Sequence, residues 1–151
     1  MAKKFKFKLE GLLKIRKFKE EQLKVELGKI NGDVLAVKNR INQLNEEIRE
    51  AYLSQEATLQ SQADGQLARF FPYFIQAKRE DIKNQENLLY SLEKKYQKKL
   101  AEVSKAMGES KVIDSMKESD KEKWRKERDK KEMEEIEEVI SMRRNFKGHS
   151  L

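Results

Sequence analysis

The sequence predicts an all-α protein: two long helices forming an antiparallel coiled-coil hairpin, with the C-terminal helix longer. Three observations lead there. Lys, Glu, Leu, Gln and Arg dominate a 151-residue chain that holds one proline and six glycines, and these side chains lose little rotamer freedom in a helix. Charged residues make up 40% of the chain against 37% hydrophobic, too little apolar material for a thick core but enough for a narrow seam. The apolar residues recur at helical spacing in two blocks, a regularity that highly charged disordered chains lack.

Helix 1 is expected over about residues 5–60. Leu27, Ile30, Val34, Val37, Ile41, Leu44, Ile48 and Ala51 alternate strictly by three and four residues, which is a heptad seam. Toward the N-terminus the seam continues through Leu23, Glu20, Arg16, Leu13 and Leu9, so two charged residues interrupt it. Leu12, Ile15 and Phe18 widen the apolar face there, which predicts less regular packing or more than one partner helix. Gly28 and Gly32 lie inside the helix; each marks either a weak point or a closely packed neighbour.

The pattern fails in Gln60–Gln66, the polar stretch QSQADGQ, where Asp64 and Gly65 supply turn chemistry. A bend is expected over about residues 61–70, with Pro72 in the first turn of helix 2, where its missing N–H has no helical partner to lose. Helix 2 is expected over about residues 72–145, along Ile82, Gln85, Leu89, Leu92, Tyr96, Leu100, Val103 and Met107. A charged segment follows, KESDKEKWRKERDKKE from Lys117 to Glu132, with Trp124 its only large apolar side chain. The stripe resumes at Met133, Ile136, Val139 and Ile140, and a short flexible tail is expected over 146–151. Residues 1–151 thus read as a single coiled-coil domain.

Packed about that bend, residue i lies opposite roughly residue 130 − i. Trp124 then falls beside Phe5, Phe7 and Leu9. The stretch from about Glu127 to Phe146 has no partner in helix 1, so its apolar stripe is expected in solvent, a surface suited to another protein. At the bend, Phe70, Phe71, Tyr73, Phe74 and Ile75 face every direction around a helix. They fit a plug over the bend, an exposed binding anchor, or both, since a two-helix bend cannot bury them all.

The formal net charge is +7. Residues 1–19 hold eight Lys or Arg against one Glu, and the remaining 26 basic and 26 acidic side chains balance, so the excess belongs to one terminal segment. Lys and Glu mixed at short spacing elsewhere mark the solvated face of a coiled coil rather than a phosphate-binding surface, and no nucleic acid is expected as partner. Cysteine is absent, no secretory apolar stretch follows the basic start, and the longest apolar run, Phe70 to Ile75, is far short of the roughly 20 residues a membrane helix needs. A cytoplasmic protein is expected. One histidine, His149, no cysteine and no phosphate-cradling loop leave no expected catalytic, cofactor-binding or metal-ligating residue, and no small-molecule substrate.

The opening FKFKLEGLLKIRKFKEEQ (residues 5–22), the helix start Phe74, Ile75, Gln76 and the C-terminal DKKEMEEIEEVISMRR (Asp129–Arg144) together resemble the flagellar type III export protein FliJ family, in order and over nearly the whole chain. The resemblance implies a cytoplasmic, non-enzymatic component of the flagellar export apparatus, peripheral at the inner-membrane face and similar to the coiled-coil stalk of rotary ATPases. Its implied partners are the hexameric export ATPase, which receives the helix termini, the cytoplasmic domain of the membrane export gate, and export chaperones. By position, Leu9, Leu13, Arg16, Met133, Ile136, Ile140 and Arg143 would face the ATPase. Phe71, Phe74, Ile75, Lys78, Asp81 and Gln85 would face the gate, with Lys78 and Asp81 departing from a more apolar family pattern. Alternatives are a stalk protein of a virulence type III system, a basic nucleic-acid-binding coiled coil, and a homodimeric scaffold.

Overall fold

The computed structural model describes residues 4–61 and 65–149, and all of these outside the first few and Ser61 are helical, with no strand among them. Helix α1 runs Glu10–Gln60 over 51 residues and α2 runs Gly65–His149 over 85. The expected antiparallel pair with the longer second helix is the observed fold. The chain divides into two compact units, residues 21–104 and residues 1–20 with 105–151.

In the unit formed by 21–104, Ile30, Val34, Val37, Leu44, Ile48 and Ala51 are buried, with Leu44 fully enclosed. These are six of the eight positions of the strict α1 alternation; Leu27 and Ile41 are half-buried. Their partners on α2 follow an equally strict alternation: Ile75, Lys78, Ile82, Gln85, Leu89, Leu92, Tyr96, Lys99 and Val103 are all buried or half-buried. The expected α2 seam drifts from this beyond Tyr96, because it followed the largest apolar residues. Leu100 is 37% exposed, and the seam position falls to Lys99, whose ammonium lies 2.9 Å from the Glu26 carboxylate across the helices. A lysine can hold a seam position when its stem packs and its head finds an acid at the edge. Arg40 faces Asp81 and Glu47 faces Lys78 in the same unit, so ascending positions on α1 meet descending positions on α2.

Helix α2 begins earlier than expected. Of the residues expected in the bend, Gln62, Ala63 and Asp64 lie outside the described residues, while Gly65 to Phe70 are helical, and Pro72 sits inside α2. Gln66, Leu67, Ala68 and Arg69 are good helix formers, and Phe70 packs on Phe71 and Phe74 with ring centroids 6.0 and 5.8 Å apart. Those contacts and propensities outweigh the one backbone bond that Pro72 cannot donate. In the unit formed by 21–104 the register differs from the expected rule: Glu47 meets Lys78 and Glu26 meets Lys99, each about five positions short of it.

In the unit formed by 1–20 and 105–151, Phe7, Leu13 and Ile113 make a buried cluster with Phe5 and Leu9 packed against it. Helix α1 begins at Glu10 rather than near residue 5. The sequence Phe5-Lys6-Phe7-Lys8 alternates with period two, and only an extended chain puts both rings on one side. Phe7 is buried and Phe5 half-buried, while Lys4, Lys6 and Lys8 are exposed. The Glu10 and Leu13 amides donate to the Phe7 and Leu9 carbonyls at 3.2 and 2.9 Å, which starts the helix. Ala106, Ser110, Ile113 and Lys117 carry the α2 seam here, and Met107 is 46% exposed. The helix of α2 continues through the segment expected as a flexible tail as far as His149, and Ser150 and Leu151 lie outside the described residues.

Candidate docking surfaces

The residues singled out at the helix termini divide into two environments. Leu13 is buried and Leu9 half-buried in the Phe7 cluster. Arg16 places its guanidinium 2.8 Å from the Glu109 carboxylate, and Lys17 with Asp114 and Lys117 with Glu10 form neighbouring cross-helix pairs. These three residues build the terminal unit. Leu12, Ile15 and Phe18 stand beside them at 39%, 66% and 65% exposed, and they form the outward face that widened the sequence stripe. Trp124 packs on Phe5 with ring centroids 5.9 Å apart, as expected, and the Arg128 guanidinium covers its ring at 5.0 Å.

Every residue from Asp129 to Gly148 is exposed. Met133, Ile136, Val139 and Ile140 remain between 46% and 59% exposed, at a spacing that puts them on one side of α2. With Glu132, Glu135 and Arg143 the last three line a shallow surface groove. Its walls are helix side chains of fixed spacing, acidic at one end and guanidinium at the other. The surface is apolar in the middle and charged at its rim, the composition of a protein-docking anchor.

At the bend, the structure separates the aromatics that the sequence left together. Ile75 is buried with Ile48 and Ala51, and Phe71, Phe74 and Ile82 pack against that cluster. Phe70 and Tyr73 face outward at 54% and 78% exposed, with Leu67 at 49% and Leu59 at 66% nearby in the sequence of the same bend. Packed and exposed aromatics therefore fall on different residues. Lys78 lies 2.9 Å from Glu47 and 5.1 Å over the Phe74 ring, Asp81 pairs with Arg40 at 3.4 Å, and Gln85 is half-buried in the seam. Phe71, Phe74, Ile75, Lys78, Asp81 and Gln85 thus line the inter-helix side of α2.

Two charged groups carry the electrostatic mark of these pairs. The Lys78 ammonium beside Glu47 holds its carboxyl below the usual carboxylate value, and Glu26 with Glu102 raises the Lys99 ammonium above the usual lysine value. Both are partners stabilising a charge at the edge of a seam. Among the described residues, no group of His, Cys, Asp or Glu is placed to hold a metal ion, and no helix is long and apolar enough to cross a membrane.

The seam ion pairs and the non-helical start at Lys4–Leu9 escaped the sequence reading. The signals existed: unbroken three-four spacing through Lys78 and Lys99, and period-two alternation at Phe5 and Phe7.

Comparison with curated proteins and with solved structures gives no match. Residues 5–149 match the family described as flagellar FliJ protein. That match covers the non-helical start, both helices and the exposed end of α2, so the chain belongs to the flagellar FliJ family, whose members are associated with flagellar protein export.

Proposed function

We propose that this protein is a non-enzymatic, stalk-like component of the flagellar type III export apparatus that docks its terminal unit into the hexameric export ATPase, promotes its activity and links it to the export gate. The observation that carries this reading is the end of α2, helical and with every residue exposed from Asp129 to Gly148. Burying Met133, Ile136 and Ile140 against another protein removes apolar area from water, at about 25 cal/mol per Å². Arg143 supplies a charged rim contact. Leu9, Leu13 and Arg16 act from beneath, by holding the terminal unit together, and Leu12, Ile15 and Phe18 offer further apolar area on the same unit.

Sparse contacts of this kind suit a partner that changes shape through a catalytic cycle, because few side chains need to be released at each step. Hydrolysis belongs to that partner. At the bend, Phe70 and Tyr73 are the anchors for the gate's cytoplasmic domain, and Phe71, Phe74, Ile75, Lys78, Asp81 and Gln85 fix their position. The protein works at the cytoplasmic, inner-membrane face of the apparatus and escorts export chaperones there.

The test is ATP hydrolysis by the purified export ATPase, with the full chain and with a chain ending after Lys126. The shortened chain is expected to remain helical and lose the stimulation. Equal stimulation by both forms overturns the docking role of the α2 end.

A further inference from the structure

We propose that the outward face of α1 in the terminal unit, centred on Leu12, Ile15 and Phe18, is a reversible docking surface for an anionic phospholipid bilayer. At about 100° per residue, Ile15 and Phe18 stand nearly opposite the buried Leu13, with Leu12 to one side. All three are exposed, Ile15 and Phe18 at 66% and 65%. They face away from the seam, and α2 does not cover them.

Lysines surround this apolar face. Lys14 precedes Phe18 by four residues and Lys19 follows Ile15 by four, the spacing that makes side chains neighbours on a helix. Lys4, Lys6 and Lys8 are exposed on the chain that leads into α1, and Lys14 and Lys19 are exposed on the helix. None of these five pairs with a carboxylate among the described residues. The nearby acids are already engaged: Glu10 lies 2.9 Å from Lys117, Glu109 2.8 Å from Arg16, and Asp114 3.4 Å from Lys17. The result is an apolar strip flanked by unpaired ammonium groups, in the one segment that carries the net positive charge of the chain.

The kind of charge selects the partner. Residues 1–19 hold seven lysines and one arginine, and the arginine is the one bound to Glu109. Protein interfaces are enriched in arginine and depleted in lysine, whose ammonium is a strongly hydrated point charge without the planar fork that fixes a carboxylate. Such charges on flexible stems suit a diffuse negative surface instead. The ammonium groups stay among the lipid headgroups while Leu12, Ile15 and Phe18 enter the boundary of the acyl chains. The contact lies on the bilayer surface, and no helix among the described residues is long and apolar enough to cross it.

This contact does not depend on the ATPase reading, because the α2 stripe from Met133 to Ile140 takes no part in it. Lipid and ATPase share only Leu12, Ile15 and Phe18, so one of them covers that face at a time.

Co-sedimentation of the full chain with vesicles tests this. Binding is expected to vesicles of equimolar phosphatidylglycerol and phosphatidylcholine, weakening as salt is added, with little binding to phosphatidylcholine alone. Lys14→Gln combined with Lys19→Gln should lower the partition constant about thirtyfold, from the attraction each lysine feels near an anionic surface. Phe18→Gln should lower it roughly tenfold by removing the inserted ring. The three replaced side chains are exposed and glutamine is a good helix former, so circular dichroism should show each variant as helical as the parent. No binding to the anionic vesicles, or equal binding to both lipids, overturns the proposal and leaves the face to a protein partner. Binding that the lysine variant leaves unchanged also overturns it by placing the contact elsewhere, and binding indifferent to Phe18→Gln overturns it by reducing the contact to charge alone.

Discussion

Lys78 and Glu47 face each other across the two helices, the ammonium nitrogen 2.9 Å from a carboxylate oxygen. The pair joins α2 to α1 beside the Ile48, Ala51 and Ile75 cluster, and it ties a residue that the family resemblance places toward the gate into the fold itself. The Lys78 ammonium lowers the Glu47 carboxyl below the usual 4.5. A carboxyl lowered in the folded state contributes stability above its unfolded value, and that stability disappears as the pH falls through the lowered one. Urea unfolding of the parent chain and of Glu47→Gln should therefore differ at pH 7, with the parent more stable, and converge in strong acid. At the alkaline end the sense reverses for Lys99, raised above 10.5 by Glu26 and Glu102: its contribution is present below the unfolded value and lost as the pH rises through the raised one.

Leu44 is the side chain most completely removed from water. Leu44→Ala should cost about 2–5 kcal/mol in urea unfolding, the sum of lost transfer energy and a residual cavity. Leu35, on the same helix and 52% exposed, is the control; Leu35→Ala should cost well under about 1 kcal/mol.

Gly28 and Gly32 stand on the exposed side of α1 with nothing within 4 Å of where a Cβ would sit. A close neighbour is therefore not the reason for glycine, and the weak-point reading is the one the packing allows. Each change to alanine should stabilise the chain by about 0.5–1 kcal/mol in urea unfolding. If flexibility at these positions serves coupling to the ATPase, the doubly substituted chain will be more stable and stimulate hydrolysis less.

The α1 seam was legible because its apolar residues obey the three-four alternation without exception from Leu27 to Ala51. The second seam was legible only in part. Lys78, Lys99, Ala106 and Ser110 occupy buried or half-buried positions that a search for large apolar side chains passes over, and the alternation alone identifies them. The start of α1 was misjudged for a similar reason: composition favours helix at Phe5–Lys8, but two rings on alternate residues do not share one surface of a helix. The exposed end of α2 followed from unequal helix lengths and needed no side-chain detail. The division of the bend aromatics into buried Ile75, half-buried Phe71 and Phe74, and exposed Phe70 and Tyr73 depended on the position of the bend, which Pro72 made look later than it is.

Phe70 and Tyr73 provide the test of the gate contact. Phe70→Ala with Tyr73→Ala should weaken binding to the gate's cytoplasmic domain by roughly tenfold or more, as loss of aromatic anchors does, with helicity unchanged. Phe74→Ala removes a ring packed on the Ile75 cluster and should lower thermal stability as well. A double variant that binds as the parent does would move the gate contact away from the exposed aromatics.

The most direct measurement of whether the exposed stripe on α2 docks into the export ATPase is ATP hydrolysis by that enzyme in the presence of Ile136→Glu/Ile140→Glu. Both side chains are exposed, at 54% and 46%, and glutamate is a good helix former, so the variant should match the parent in helicity and unfolding midpoint. Docking through this stripe leaves hydrolysis with the variant near the level of the ATPase alone. Stimulation equal to that of the parent chain would contradict it.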